Sequence, residues 1–196
     1  AYSQLQGTYR NSPAAVRATM EMPGPQVTQA LVKALTEGQP SNDRKIVLIR
    51  ALGPRATPNN QVSLPQFAKD GDKTVRLAAI RAGSMVKDPS AAWLQQFLND
   101  PDREIAQAAL DGFASLPGAE IDTMIVAMLS EPARRAVALE LISRRHMTAA
   151  LPALFISARD GDPDVRPDVL RKIGELGGPA EVPKLHLAVE DAVGAE

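Results

Sequence analysis

One short phrase returns along this chain at nearly constant intervals, and no other feature of the sequence constrains the fold as strongly. It reads DGDKTVR at residues 70–76, DGDPDVR at 160–166 and, in a weaker form, DPDREIA at 100–106. With one apolar residue per phrase as the anchor, successive spacings are 30, 29, 30, 31 and 29 residues. This regularity indicates six repeats of one supersecondary type, anchored at Val16, Ile46, Val75, Ile105, Ala136 and Val165.

Each repeat is predicted to contain two helices separated by a short break. In the fourth repeat, apolar residues from Ile105 to Leu116 recur on one helical face. Breaks such as KDPS at 87–90 follow, and a second apolar segment leads to the next phrase. No sustained alternation indicates a strand. Short polar side chains are expected to cap the first helices, namely Ser12, Asp43, Asp72, Asp100 and Asp162.

Stacking of these helix pairs is the expected source of the core. A pair this short cannot bury its own apolar face, whereas stacked pairs bury theirs against their neighbours. The predicted fold is therefore all-α, an α-solenoid (superhelix) of about six two-helix repeats at 11–40, 41–69, 70–99, 100–130, 131–159 and 160–191. These form one domain over 11–191, with an extension at 1–10 and a tail at 192–196. The expected core columns on the second helices are Leu64, Leu94, Ile125 and Leu154, then Ala68, Leu98, Leu129 and Ala158.

The repeated phrase resembles the HEAT repeat, in which a turn aspartate is followed six residues later by an arginine. Two phrases match this pattern, with Asp70–Arg76 and Asp160–Arg166. In the phrase that begins at Asp100, the residue six positions later is Ala106. The period of about thirty residues is similar to that of short bacterial HEAT-like repeats, which also occur in bilin-lyase-like proteins and in large exported proteins. The resemblance implies that these turn residues are structural and that the aspartate–arginine pairs tie adjacent turns into a ladder.

Metal, cofactor and catalytic chemistry find little support in the sequence. A calcium loop counted from Asp160 would need glycine and glutamate where Val165 and Arg171 stand. Neither His146 nor His186 is followed by glutamate, unlike the His-Glu dipeptides of iron-binding HEAT-like hydroxylases. Cysteine is absent, and we find no glycine-rich phosphate loop. We therefore expect no cofactor, no metal site and no enzymatic activity.

One basic cluster is a candidate anion contact. A nucleic-acid partner is disfavoured because the formal net charge is −1. A solvated helix face with Glu131 and Glu140 nearby is the alternative explanation. The cluster consists of Arg134, Arg135, Arg144 and Arg145.

Aromatic and methionine side chains on the middle second helices suggest a different surface. Such side chains are typical of interaction hot spots. We expect Trp93 and Met124 to lie partly exposed at its centre, although the same columns would also complete an apolar core face. The candidate partner-binding residues are Trp93, Gln96, Phe97, Thr123, Met124 and Met128.

The expected function is a non-catalytic scaffold whose concave surface binds another protein or a neighbouring domain of the same chain. A DNA-binding HEAT-like protein and a lyase-like accessory enzyme are the alternatives. No apolar run reaches the length of a membrane helix, so we expect a soluble protein without membrane insertion. The N-terminus AYSQLQGTYR is neither a signal nor a transit peptide. A trimmed end or a piece of a larger, exported bacterial protein is compatible with it.

Overall fold

A computed structural model describes residues 21–22, 24–37, 39–55, 64–86, 88–160 and 164–193. These residues contain helices and no strand, so the fold is all-α, of the α-solenoid class. They group into two compact bodies, which we call the N-terminal body (up to Pro117) and the C-terminal body (from Gly118). This boundary falls between the two helices of the fourth repeat. A single domain over 11–191 stays a prediction, and residues 1–10 lie outside the described part.

The N-terminal body contains five α-helices: α1 Pro25–Thr36, α2 Asn42–Leu52, α3 Leu64–Phe67, α4 Lys73–Gly83 and α5 Arg103–Ala114. Two 3₁₀ helices, Gly53–Arg55 and Pro89–Phe97, complete its described elements. The first helices of successive repeats, α2, α4 and α5, pack side by side. Each preceding second helix, namely α1, α3 and the 3₁₀ helix Pro89–Phe97, packs against the first helix of the next repeat.

The C-terminal body repeats this arrangement with α6 Ala119–Met128, α7 Pro132–Arg144, α8 Leu151–Asp160, α9 Arg166–Leu176 and α10 Val182–Val193. Short 3₁₀ helices, Thr148–Ala150 and Pro179–Glu181, precede α8 and α10. The first helices α7 and α9 pack together, as do the second helices α8 and α10. Helix α10 reaches Val193, so it passes the repeat end predicted at residue 191.

The core columns predicted for the second helices are confirmed. Leu64, Leu94, Ile125 and Leu154 are buried, and so are Ala68, Leu98, Leu129 and Ala158. Two positions four residues apart lie on one face of a helix, which is why both columns point inward together.

The helix caps follow the prediction only in part. Asp72 caps α4, because its carboxylate accepts hydrogen bonds from the backbone N–H groups of Thr74 and Val75. In the fourth repeat the cap is Asp102 and not Asp100. Asp100 instead accepts the backbone N–H of Asp102 at 2.9 Å, which orders the turn before the helix.

The three remaining predicted caps differ from the prediction or lie outside the described chain. Ser41 occupies the N-cap position of α2, while Asp43 lies in its first turn, where an acid favours the helix dipole. Ser12 and Asp162 lie outside the described residues, and of Asp160 only the backbone is described. Arg166 is the first residue of α9.

Adjacent turns of the N-terminal body are connected, but in the described Asp70–Arg76 pair the arginine does not make the link. Arg76 donates to the carbonyl oxygens of Asp70 and Gly71, at 3.0 and 3.1 Å, and so stays within its own turn. Donors from the preceding repeat make the links between turns. They are Lys45 to Asp70 at 2.8 Å, Asn42 to Asp72 at 2.8 Å and Lys73 to Asp102 at 2.7 Å.

These links change the acidity of the turn carboxyls. The hydrogen bond from the Lys45 ammonium lowers the pKa of Asp70, and the backbone N–H of Asp72 lowers it further. The pKa of Asp102 is also lowered, chiefly by the hydrogen bond from Lys73. A lowered carboxyl pKa means that the folded protein favours the ionised form, so protonation weakens the fold.

Replacing Asp70 with asparagine should lower stability at neutral pH and make it less dependent on pH in acid. The contribution of the carboxylate is present above its unfolded pKa of about 3.9 and is lost as pH falls through the lower folded pKa. Thermal unfolding at pH 7 and pH 3 should therefore show a difference between wild type and Asp70→Asn that shrinks at the lower pH. Lys45→Met should behave in the same way, since it removes the donor. A difference that stays constant with pH contradicts this assignment.

Candidate partner-binding surfaces

The aromatic residues of the predicted surface lie together in the N-terminal body. Trp93 and Phe97 are both partly exposed, and Gln96 between them is exposed. The two rings meet edge to face, with centroids 6.1 Å apart and planes at 88°, an arrangement that aromatic pairs favour. Trp93 also packs on Gly83 of α4, where a Cβ atom would stand 2.5 Å from its Cζ2 atom. The expected partial exposure of Trp93 is confirmed, whereas its contact with a partner stays a prediction.

The remaining residues of the predicted surface lie on α6 in the C-terminal body, and one of them is buried. Thr123 is exposed and Met124 is partly exposed. Met128 is only 2% exposed, so the expectation that it contacts a partner is wrong. It follows the buried Ile121 and Ile125 by seven and three residues, which places all three on one helical face. Met128 is therefore a core residue.

Each arginine of the basic cluster is engaged within the protein. A carboxylate offsets the charge of the arginine that it pairs with, whereas a neutral carbonyl oxygen does not. Three of the four cations are therefore compensated, Arg135 keeps its charge, and the anion contact stays a prediction. The contacts are Arg134 to Glu131 at 3.4 Å, Arg135 to the carbonyl oxygen of Leu129 at 2.9 Å, Arg144 to Glu140 at 2.7 Å and Arg145 to Asp122 at 2.6 Å.

Large apolar side chains remain exposed on the last two second helices of the C-terminal body. Ile156 on α8 is 57% exposed, and Val182, Leu187 and Val189 on α10 are 60%, 60% and 41% exposed. We call these four residues the α8–α10 surface. Elsewhere in the described chain, Met85 is the one other large apolar side chain with comparable exposure.

The α8–α10 surface was not predicted from the sequence, although a signal was present. Ile156 follows the core residue Leu154 by two positions, which turns its side chain to the opposite side of the helix. Leu187 stands in the same relation to Leu185, which is more buried. An apolar residue two positions after a core position marks an outward-facing apolar site.

A groove of about 570 Å³ lies between α6 and the turn that connects α7 to α8. Asp122 and Thr123 line it from α6, and Arg145, His146 and Thr148 line it from the turn. Arg145 donates from both Nε (3.0 Å) and a terminal guanidinium nitrogen (2.6 Å) to Oδ1 of Asp122. The groove therefore contains a carboxylate held in a fixed orientation.

His146 adopts an unusual backbone conformation at the edge of this groove. Its φ angle is +50°, in the left-handed region that residues other than glycine rarely adopt. The turn closes α7 by two hydrogen bonds of 3.0 Å, from the backbone N–H of His146 to Ser143 and from that of Met147 to Ile142. Glycine is the usual residue at this position of such a helix end.

Replacing His146 with glycine should raise the free energy of unfolding by about 1 kcal/mol, because the left-handed strain of a side-chain-bearing residue is removed. Urea unfolding followed by circular dichroism measures this change. Ala136→Gly, on an exposed part of α7 with ordinary helical geometry, is the control and should lower stability by about 1 kcal/mol. Loss of stability in His146→Gly would show that the imidazole makes a stabilising contact.

The described residues show neither a metal site nor a membrane-spanning helix. No group of three or more histidine, cysteine, aspartate or glutamate side chains there has the geometry to hold a metal ion. No helix in the same residues is long and apolar enough to cross a membrane.

A direct match to a known family agrees with the stacked helix pairs. Residues 28–114 match the family model described as HEAT repeats. This segment contains HEAT repeats. The matched segment lies within the N-terminal body, and HEAT repeats commonly serve as protein-interaction scaffolds. No curated protein matches the sequence.

Proposed function

We propose that this HEAT-repeat chain is a non-catalytic scaffold whose α8–α10 surface binds another protein or a further domain of its own chain. One observation carries the proposal. Four of the five large apolar side chains that stay exposed in the described chain lie on α8 and α10, two second helices that pack on each other. Large apolar side chains left exposed on two neighbouring helices favour an interaction site.

The energetics of burial support the same surface. Covering one exposed leucine or isoleucine side chain completely contributes about 1.5–3 kcal/mol, so Ile156 and Leu187 would supply much of the affinity. The charged neighbour Glu190 on α10 already has a partner in His186, at 3.3 Å. This contact is an ion pair only when the imidazole of His186 is protonated.

DNA binding has less support from the geometry. A duplex-binding surface needs several cations that are available to phosphates. The four arginines of the basic cluster each have a protein partner. The lyase-like alternative would need convergent acid and base groups, and among the described residues the groove beside α6 offers a carboxylate already paired with an arginine.

Affinity capture with purified variants tests the proposal. The double variant Ile156→Asp/Leu187→Asp should lose at least about tenfold in affinity for a protein that wild type retains, because charged groups replace the apolar contacts. The matched control is Ala133→Asp/Ala136→Asp on the exposed side of α7, which should bind as wild type does. Circular dichroism confirms that each variant folds. A captured protein whose affinity is the same for wild type and for the α8–α10 variant contradicts the proposed surface.

A further inference from the structure

We propose that the groove between α6 and the α7–α8 turn receives the side chain of an arginine or lysine from a protein partner. The inference rests on the proposed function only in requiring that the partner be a protein. It concerns a different surface from the exposed apolar residues of α8 and α10, and it assigns a residue type to the ligand.

Asp122 presents a partly exposed carboxylate on a nearly buried partner. Its side chain is 46% exposed, while that of Arg145 is 13% exposed. Arg145 donates to Oδ1 of Asp122 from two of its nitrogens. Because nearly half of the Asp122 side chain stays exposed, a further donor can still reach this carboxylate. A carboxylate fixed by a nearly buried guanidinium needs no reorganisation to accept a second cation, and charge-assisted hydrogen bonds are among the strongest polar contacts.

The lining of the groove combines apolar and polar groups. Val126, Met147 and Ala150 provide apolar surface, of which Met147 and Ala150 are buried. Thr123 and Thr148 are exposed on the polar side. Arginine and lysine have the matching shape, because an aliphatic stem carries the charged group at its end.

The local charge is compatible with such a ligand. Arg145 and Asp122 offset each other's charge, so no net positive charge from this pair opposes a cation. The groove adjoins the C-terminal end of α7, where the helix dipole is negative, and the first turn of α6 at Ala119, where it is positive. The left-handed backbone of His146 lies at the same place. Strained residues persist where the surrounding structure holds them, and they concentrate at binding sites.

A pair of probes that differ only in charge tests the inference. N-acetyl-arginine N-methylamide should produce saturable shifts in the amide NMR signals of residues 119–126 and 145–150. The corresponding citrulline compound is neutral but nearly the same shape, and it should bind at least tenfold more weakly. Equal affinity for the two compounds, or stronger binding of the corresponding glutamate compound, would overturn the proposal.

Two variants locate the binding to the groove. Asp122→Asn keeps an oxygen acceptor for Arg145 but removes the charge, and it should weaken arginine-probe binding at least tenfold. Val126→Lys places an internal ammonium four residues after Asp122 and should abolish binding while leaving the Asp122–Arg145 pair in place. Wild-type affinity in a folded Val126→Lys protein rejects the site. If the probe fails to bind while the α8–α10 variant loses its partner, this inference falls and the proposed function stands.

Discussion

Replacing Phe113 with alanine should destabilise the protein by about 3–5 kcal/mol, the usual cost of removing a buried phenyl ring and leaving a cavity. Phe113 lies on α5, is 0% exposed and is the one aromatic residue among the largest fully buried side chains of the described chain. Helix α5 packs against both α4 and the 3₁₀ helix Pro89–Phe97, so a cavity there would loosen two interfaces. Urea unfolding followed by circular dichroism measures the loss.

Two substitutions serve as controls for this result. Phe113→Leu retains most of the apolar volume and should cost less than about 1.5 kcal/mol. Phe67→Ala removes a phenyl ring that is already partly exposed, so its effect should be clearly smaller than that of Phe113→Ala. Equal losses for the two alanine variants would show that the ring at residue 113 is not the better packed of the two.

Replacing Gly83 with alanine should lower stability by about 2 kcal/mol, because overpacking a tight interface typically costs 1–3 kcal/mol. A Cβ atom at this position would stand 2.5 and 2.9 Å from two atoms of the Trp93 ring. The indole ring must then move. Trp93 is the only tryptophan in the sequence, so its fluorescence spectrum and its accessibility to quenchers report the displacement directly.

The same substitution at Gly174 should raise stability, in contrast to Gly83→Ala. Gly174 lies in α9, and a Cβ atom there would meet nothing closer than a Leu185 methyl group at 3.9 Å. Alanine should therefore stabilise the helix by about 0.5–1 kcal/mol, since glycine is the poorer helix former. If Gly83→Ala were also stabilising, the close contact between Trp93 and α4 would be wrong.

The fold was predictable because similar apolar positions and turn residues recur about every thirty residues. The core positions Leu94 and Ile125 and the anchors Val75 and Ile105 are buried, since helix geometry decides which face each residue occupies. The anchor Ala136 is exposed, so the spacing of the anchors predicted the repeat better than it predicted burial. The caps were predictable only to within two residues. Both Asp100 and Asp102 have a suitable side chain, and the path of the turn decides which of them caps the helix.

The candidate surfaces were harder to predict because burial and pairing depend on distant residues. The partner of Arg145 is Asp122, which lies 23 residues earlier on another helix, so the sequence offers no local sign of the pair. Met128 has the same residue type as the partly exposed Met124, yet the two face different surroundings. The sequence predicts that Ile156 faces away from the core, because it lies two positions after Leu154. Its exposure, however, depends on what packs beside α8.

The links between neighbouring turns give the N-terminal array a direction. In each case the earlier repeat supplies the donor, Asn42, Lys45 or Lys73, and the later repeat supplies the carboxylate. Repeats joined in this way are head-to-tail modules with compatible ends. A second copy of residues 70–99 inserted after Asn99 would present its own Asp72 to Lys73 of the first copy, as Asp102 does in the present chain. Lengthening by duplication at this joint would therefore give the copied Asp72 a lysine partner and preserve that of Asp102, whereas the copied Asp70 would meet Thr74 in place of Lys45.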